Sequence, residues 1–354
     1  MIKAFSWFMF LAFILSCSHE VFSQMDRRTI KKNNKRIMSF RGKKSNFSKE
    51  KRYFSLGFSL NALNYYGDLA PNPGAFSTDI SFTRPAIGLN YSLRLGPRYA
   101  VTAGFMYGTL SGSDFSSADE NDSENGKFRY YRNLSFRNRI KELSVVASFD
   151  LIENQATYLS RANWTPYAFA GIAVFHHNPQ AKAPATGLDN NALPQSGEWV
   201  NLRELGTEGQ FSDLQTTDVN YGIKPYKLIQ IAIPMGVGVR FKVHDVVDLS
   251  AEFGFRYLFT DYIDDVSKNY VDLGVLDSEL ARALSYRGNE LTKPDIARRP
   301  FTARNGVTYN LINGYGTEYA TNMRGNKDNK DIFMVTTVRI SYILGKTMHK
   351  AKFR

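Results

Sequence analysis

The sequence predicts an all-β fold: an eight-stranded antiparallel transmembrane β-barrel with short periplasmic turns and long extracellular loops. Three observations carry that expectation. Eight segments between Tyr53 and Gly345 alternate apolar with small or polar residues at period two, as strands do when their two faces meet different surroundings. The connections between them are short and long in turn. A stretch with the layout of a secretory signal stands at the front of the chain.

Residues 1–23 read as that signal. Lys3 precedes an apolar run from Phe5 to Leu15, and small residues follow at Ser16, Ser18 and Ser23. The run is shorter than the roughly 20 residues a membrane helix needs. Two cleavage sites fit: after Val21-Phe22-Ser23, leaving Gln24 first, or before Cys17, where Ile14-Leu15-Ser16-Cys17 imitates a lipoprotein signal. Every later apolar stretch is broken by charge or glycine, so a mature chain that crosses a membrane must do so as a closed barrel. With a single cysteine, the chain is no disulfide scaffold.

The net charge of +12 is concentrated in two tails. Residues 24–52 form a basic periplasmic segment holding Arg27, Arg28, Lys31, Lys32, Lys35, Arg36, Arg41, Lys43 and Lys44, with Lys49, Lys51 and Arg52 behind them. Residues 346–354 form a basic C-terminal tail with Lys346, Lys350, Lys352 and Arg354. The barrel region, 53–345, is nearly neutral. The N-terminal segment lacks a core pattern, so it is expected to be mobile or to order on binding. On the periplasmic side nucleic acid is no partner, which leaves outer-membrane lipid headgroups or an acidic protein surface. A solvated linker is the structural alternative.

The strands follow in order. Phe54, Leu56, Phe58, Leu60 and Ala62 mark the first; Ile87 to Leu95 the second, closed by the Gly96-Pro97 turn; Tyr99 to Tyr107 the third; Leu143 to Leu151 the fourth. The fifth, Trp164 to His176, is apolar on both faces. The sixth sets Ile229, Ile231, Ile233, Met235, Val237, Val239 and Phe241 against a small face, and Pro234, which has no amide to donate, is expected to force a bulge. Val247 to Tyr257 and Met334 to Leu344 complete the set. An even count puts both termini on one side.

Alternation alone does not orient the faces, and a soluble calyx with an apolar interior also alternates. The second face decides. It carries Gly, Ser and Thr with Arg94, Arg240, Arg256 and Arg339 against Glu142, Asp150, Asp248 and Glu252. An eight-stranded barrel encloses room for little beyond side chains, which small residues and balanced charges fill. The other face, with Tyr53, Tyr91, Tyr99, Tyr107, Tyr257 and Tyr342 near strand ends, fits a lipid-facing band between aromatic girdles. The interior charges could line a conduction path, but in a narrow barrel mutual neutralisation is the structural expectation, because an unpaired buried charge is costly.

Two further clusters carry potential ligand atoms. His176 and His177 are adjacent on a strand and point to opposite faces, which suits a shared metal poorly and a membrane-interface position better. Asp261, Asp264 and Asp265 offer enough oxygen for calcium but lack the spacing of a calcium-binding loop, so a loop fastened by carboxylate-to-backbone bonds is expected. No catalytic, cofactor or metal residues are assigned, no cofactor or small-molecule substrate is expected, and no nucleophile motif surrounds the histidines.

The segments NYYGDLAP (64–71), NYSLRLGPRYAV (90–101), TPYAFAGIAVFHHNP (165–179), ELGTEGQ (204–210), IPMGVGVRF (233–241) and EFGFRYLFTDYIDDVS (252–267) together resemble the PorG-type outer-membrane barrels of the Bacteroidetes type IX secretion system. The likeness runs from 53 to 345. It implies a non-enzymatic component of a gliding-associated protein secretion machine, whose periplasmic side associates with ring proteins, a lipoprotein and its partner. Anchoring or positioning that ring is the implied role, since a side-chain-filled lumen passes no folded protein. A lipid-modifying outer-membrane enzyme, or an adhesin acting through the long loops at 177–227 or 268–330, are the alternatives.

Overall fold

A computed structural model describes residue 47 and residues 51–69, 83–123, 125–155, 157–293, 296–326 and 330–345. The expected signal, the basic segment Arg27 to Lys44 and the tail 346–354 lie outside the described residues.

Eight long strands form the wall: β1 (Phe54–Tyr66), β2 (Arg84–Arg94), β3 (Tyr99–Ser113), β4 (Ser135–Asp150) and β5 (Trp164–His176). After two short strands, β6 (Pro179–Lys182) and β7 (Trp199–Asn201), come β8 (Ile229–His244) and β9 (Val247–Leu258). A second short pair, β10 (Arg298–Thr302) and β11 (Thr308–Ile312), precedes β12 (Ile332–Leu344). The order β3-β2-β1-β12-β9-β8-β5-β4 closes through a β3–β4 pairing, so the wall is a closed eight-stranded antiparallel barrel. Closure leaves no strand edge, which is what a sheet crossing hydrocarbon requires. First and last strands zip along their whole length, from Phe54↔Leu344 to Tyr66↔Ile332.

Burial runs opposite to that of a water-soluble protein. Along β1, Leu56 and Leu60 are 50% and 59% exposed while Ser59 is 3% exposed. The same inversion runs around the wall through Leu89, Phe105, Leu143, Ile172, Val237, Leu249 and Ile340, all exposed. A continuous apolar belt on the outside is stable only against lipid. No helix among the described residues is long and apolar enough to cross a membrane.

The β8–β9 turn at 245–246 has a register shift between Lys242 and His244, and this is where the bulge sits. The bulge expected at Pro234 is absent. The β5–β8 ladder is open between Ala170↔Met235 and Ala173↔Ala232, but its register is the same on both sides. Proline removes one donor there and inserts no residue, so a rung is lost without a shift. The doubly apolar fifth strand has a simple cause: Tyr167, Ala173 and Phe175 point inward and are buried.

Beyond the strands, the long connections fold. The described residues of 114–134, 177–228 and 259–331 build a cap over one mouth, with a core of its own that includes Tyr270, Leu273, Ala281, Tyr286, Leu311 and Tyr315. Helices Gly126–Arg132 and Glu279–Ser285 belong to it, the latter capped by the Ser278 hydroxyl accepting from the Ala281 amide at 3.1 Å. β6 extends the wall along β4, and β7 pairs with β6. Buried tyrosines and leucines spaced through these connections make them a second layer rather than solvated loops.

Candidate functional site: the plugged lumen and its cap

Glycines make the lumen crossable. A Cβ on Gly254 would stand 2.9 Å from Phe169 Cζ, and one on Gly236 2.7 Å from the same atom. Phe169 therefore lies across two bare stretches of the β8–β9 wall. Space left over amounts to a polar cavity of about 90 Å³ bordered by Ser59, Asn90, Thr102 and Ser144, which is room for a handful of waters.

Charged side chains strut the lumen toward the short-turn end. Arg94 pairs with Asp150, and Arg240 reaches the same carboxylate at 3.0 Å. Arg256 Nε meets both Glu142 oxygens at 3.1 and 3.0 Å, from β9 across to β4. Arg339 joins Glu252 at 2.6 Å, and the Tyr167 hydroxyl donates to the other Glu252 oxygen at 2.6 Å. Seven of the eight interior charges anticipated from sequence are thus joined to one another. The eighth, Asp248, is held by Arg161, at 2.7 and 2.9 Å. Arg161 lies in the β4–β5 connection, where no alternation marks a residue as inward.

Toward the other mouth the lumen is apolar. Leu63, Ala86, Leu110, Ile140, Phe175, Ala232, Leu258 and Phe333, one from each wall strand, form a single buried layer with Ile263 and Val266 of the cap. Ionic struts and apolar layer together plug the barrel.

Above that layer sits a buried polar hub. Arg324, 1% exposed, donates to Glu208 Oε1 at 3.1 Å and to the Asp265 carbonyl at 2.6 Å. Asp265 also accepts from Thr207 at 2.5 Å and Tyr226 at 2.7 Å. The Glu208 Oε1 atom takes the Ser267 and Lys268 amides as well, at 2.9 and 3.1 Å. Burial pushes both carboxyls up, and Arg324 opposes that shift. Nearby, Asp114 binds Arg129 at 3.2 Å and Arg132 at 2.8 Å. Arg132 goes on to the carbonyls of Arg324 and Asp68 at 2.8 and 2.6 Å. Asp265 apart, which stands in the acidic cluster singled out in the sequence, none of these loop residues is legible as a site, because each gains meaning only from partners distant in the chain.

His177 does not sit at a membrane interface as expected. It is fully buried and stacked on Tyr226, with ring centroids 5.9 Å apart. Its Nε2 is 3.1 Å from the Lys227 carbonyl, so Nε2 carries the proton and Nδ1 can accept from Asn138 at 3.5 Å. Burial lowers its pKa to about 4. Asp264 and Asp265 do fasten their loop, but Asp265 does so through side chains; only Asp264 takes a backbone amide, from Val266 at 3.0 Å. Among the described residues no group of three His, Cys, Asp or Glu side chains is arranged to hold a metal ion.

A closed barrel of eight strands, apolar outside, plugged within and capped at one mouth, is an outer-membrane β-barrel protein. Residues 42–192 match the family model of a domain of unknown function, DUF6089. No curated protein gives a significant match. Among solved structures, the chain is similar to Neisserial surface protein A (8% identity, TM-score 0.33, covering 82% of this chain and 96% of that one). It is likewise similar to OprG from Pseudomonas aeruginosa (6%, 0.34, covering 86% and 100%) and to the Yersinia pestis attachment invasion locus protein Ail (8%, 0.30, covering 83% and 97%). At such identity and TM-score, these likenesses carry nothing about activity or partners.

Proposed function

We propose that this chain is a non-enzymatic outer-membrane component of a type IX, gliding-associated protein secretion machine, anchoring or positioning a periplasmic ring complex. The reading rests on the resemblance of six segments to PorG-type barrels. Its support in the fold is that three of those segments come together where the cap meets the barrel mouth, through Tyr65 and Leu69 of the first, Glu208 of the second, and Ile263, Asp264 and Ser267 of the third, while the lumen between them and the short turns is filled. A plugged barrel suits an anchor better than a passage. In this orientation the short turns and both ends of the barrel face the periplasm, and Arg27, Arg28, Lys31, Lys32, Lys35, Arg36, Arg41, Lys43 and Lys44 are offered to the ring proteins or to anionic headgroups.

The test is a mild-detergent pull-down through a tag in the 177–228 loop, comparing the full chain with a variant lacking residues 26–50. Ring proteins, a lipoprotein and its partner, are expected with the full chain and lost from the variant. A folded barrel recovered alone in both cases refutes the anchor. An adhesin is the second reading, favoured by Phe211, Tyr221 and Tyr319, which stand exposed on the cap. It predicts that replacing these three with Ser abolishes surface attachment and leaves secretion intact.

A further inference from the structure

The Tyr65 hydroxyl lies 2.7 Å from Asp264 Oδ2 and 2.7 Å from Asp331 Oδ1, and all three residues are buried. A phenol carries one proton and donates to one acceptor. The other 2.7 Å contact joins two oxygens that need a second hydrogen between them. The outer carboxyl oxygens are already acceptors: Asp264 Oδ1 from the Val266 amide at 3.0 Å, Asp331 Oδ2 from the Ile263 amide at 2.9 Å. The missing hydrogen therefore belongs on an inner oxygen of Asp264 or Asp331.

We infer that Asp264, Tyr65 and Asp331 hold one shared carboxyl proton at neutral pH, and that this proton fastens the cap to the barrel mouth as a pH-sensitive latch. Tyr65 belongs to the wall, Asp264 to the segment after β9, and Asp331 to the residue before β12. The latch thus ties the cap to the seam where the barrel closes.

The charges around it favour holding a proton. Asp68, after β1, adds negative charge, while Asp261, after β9, is itself pushed up to about 9 by burial and by Asp331 and so adds none at neutral pH. Arg132 is occupied by Asp114, and Arg324 by Glu208 and Asp265, so neither guanidinium is given to the triad. His177, from the end of β5, is neutral above about pH 4. Burial, with the neighbouring carboxylates, pushes Asp331 up to about 8 and Asp264 well above its ordinary value.

The sign follows. An opened cap lets these carboxyls titrate near the ordinary value of about 3.9, whereas the closed cap keeps a proton up to about 8. Between those values the closed state binds more protons, so the latch is fully present at low pH and is lost as pH rises through about 8. Within that window each added pH unit raises the opening constant by up to about tenfold.

The experiment uses the full chain in detergent micelles, with hydrogen exchange at the Ile263 and Val266 amides corrected for intrinsic rates. Opening is expected to rise from pH 5 to pH 9 in the wild type. In Asp331→Asn, whose amide can donate to Tyr65 while its oxygen still accepts from Ile263, opening stays flat at the low-pH level. A flat wild-type profile, or a variant profile as steep as the wild type, overturns the latch. Infrared spectra of the wild type alone give a second test: a protonated-carboxyl stretch present at pH 7 and lost at high pH is expected, and its absence at pH 7 overturns the proposal. Added calcium at pH 7 should leave exchange unchanged; protection restored by calcium would show a cation site in its place.

Discussion

Glu142 and Arg256 show what a single pair does in this lumen. The guanidinium bridges from β9 to a carboxylate on β4 that is 1% exposed. Glu142→Ala leaves the arginine without its carboxylate beside a cavity that holds only a handful of waters, and the loss expected is roughly 3–5 kcal/mol. Replacing both residues with apolar ones of similar volume should recover most of that. Unfolding in detergent monitored by circular dichroism measures each; a loss below about 1 kcal/mol for the single change would mean that water screens the pair as it does at a surface. Gly67 is a second such position. Any Cβ there meets the Tyr65 hydroxyl and Asp331 Oδ1, so Gly67→Ala is expected to part the two and raise amide exchange at Ile263. His177 titrates in the opposite sense to the latch. Its folded value near 4 lies below the ordinary 6.5, so the stability it contributes is present above 6.5 and lost as pH falls toward 4. The His177 ring protons, followed by NMR, should titrate near 4.

At the scale of elements, seven of the wall strands are explained by their own alternation and were legible in the sequence for that reason, while the fifth, apolar on both faces, stood out only as an apolar run of strand length. The folded long connections were not. Tyr270, Leu273 and Leu311 lie in stretches rich in Asn, Asp and Gly, where no fixed period links a residue to its burial. Of the interior ion pairs, four were within reach because the face was known, but their pairing depended on which strands oppose one another across the lumen. Arg161 escaped altogether, since its role comes from the fold of a connection. The outward face makes its own prediction: Leu89→Arg, on the exposed face of β2, should cost about 2–4 kcal/mol in a bilayer if it lies at mid-depth and far less in urea-soluble, unfolded chains. Folding titrations into vesicles measure the difference, and a near-neutral result would place β2 outside the lipid.

For the whole molecule, struts and apolar layer predict an electrically silent barrel. Reconstituted into planar bilayers, the full chain should conduct no more than bare lipid, and steady single-channel steps would show that the plug opens. Removing the cap by deleting residues 260–330 should leave the ionic struts in place, so conductance is expected to stay low even then.

The seam between β1 and β12 also sets an order of events during assembly. Tyr65 and Asp331 are separated by 266 positions in the chain, and Asp331 is followed at once by the strand that closes the ring. Contacts so distant form late, because the loop they close must first be brought round. The cap cannot settle on the mouth before the last strand arrives. A chain paused one strand short would therefore present an open sheet edge and an unassembled cluster of carboxylates at the same moment. Completion of the ring and fastening of the cap thus become a single, concerted step in the biogenesis of the protein.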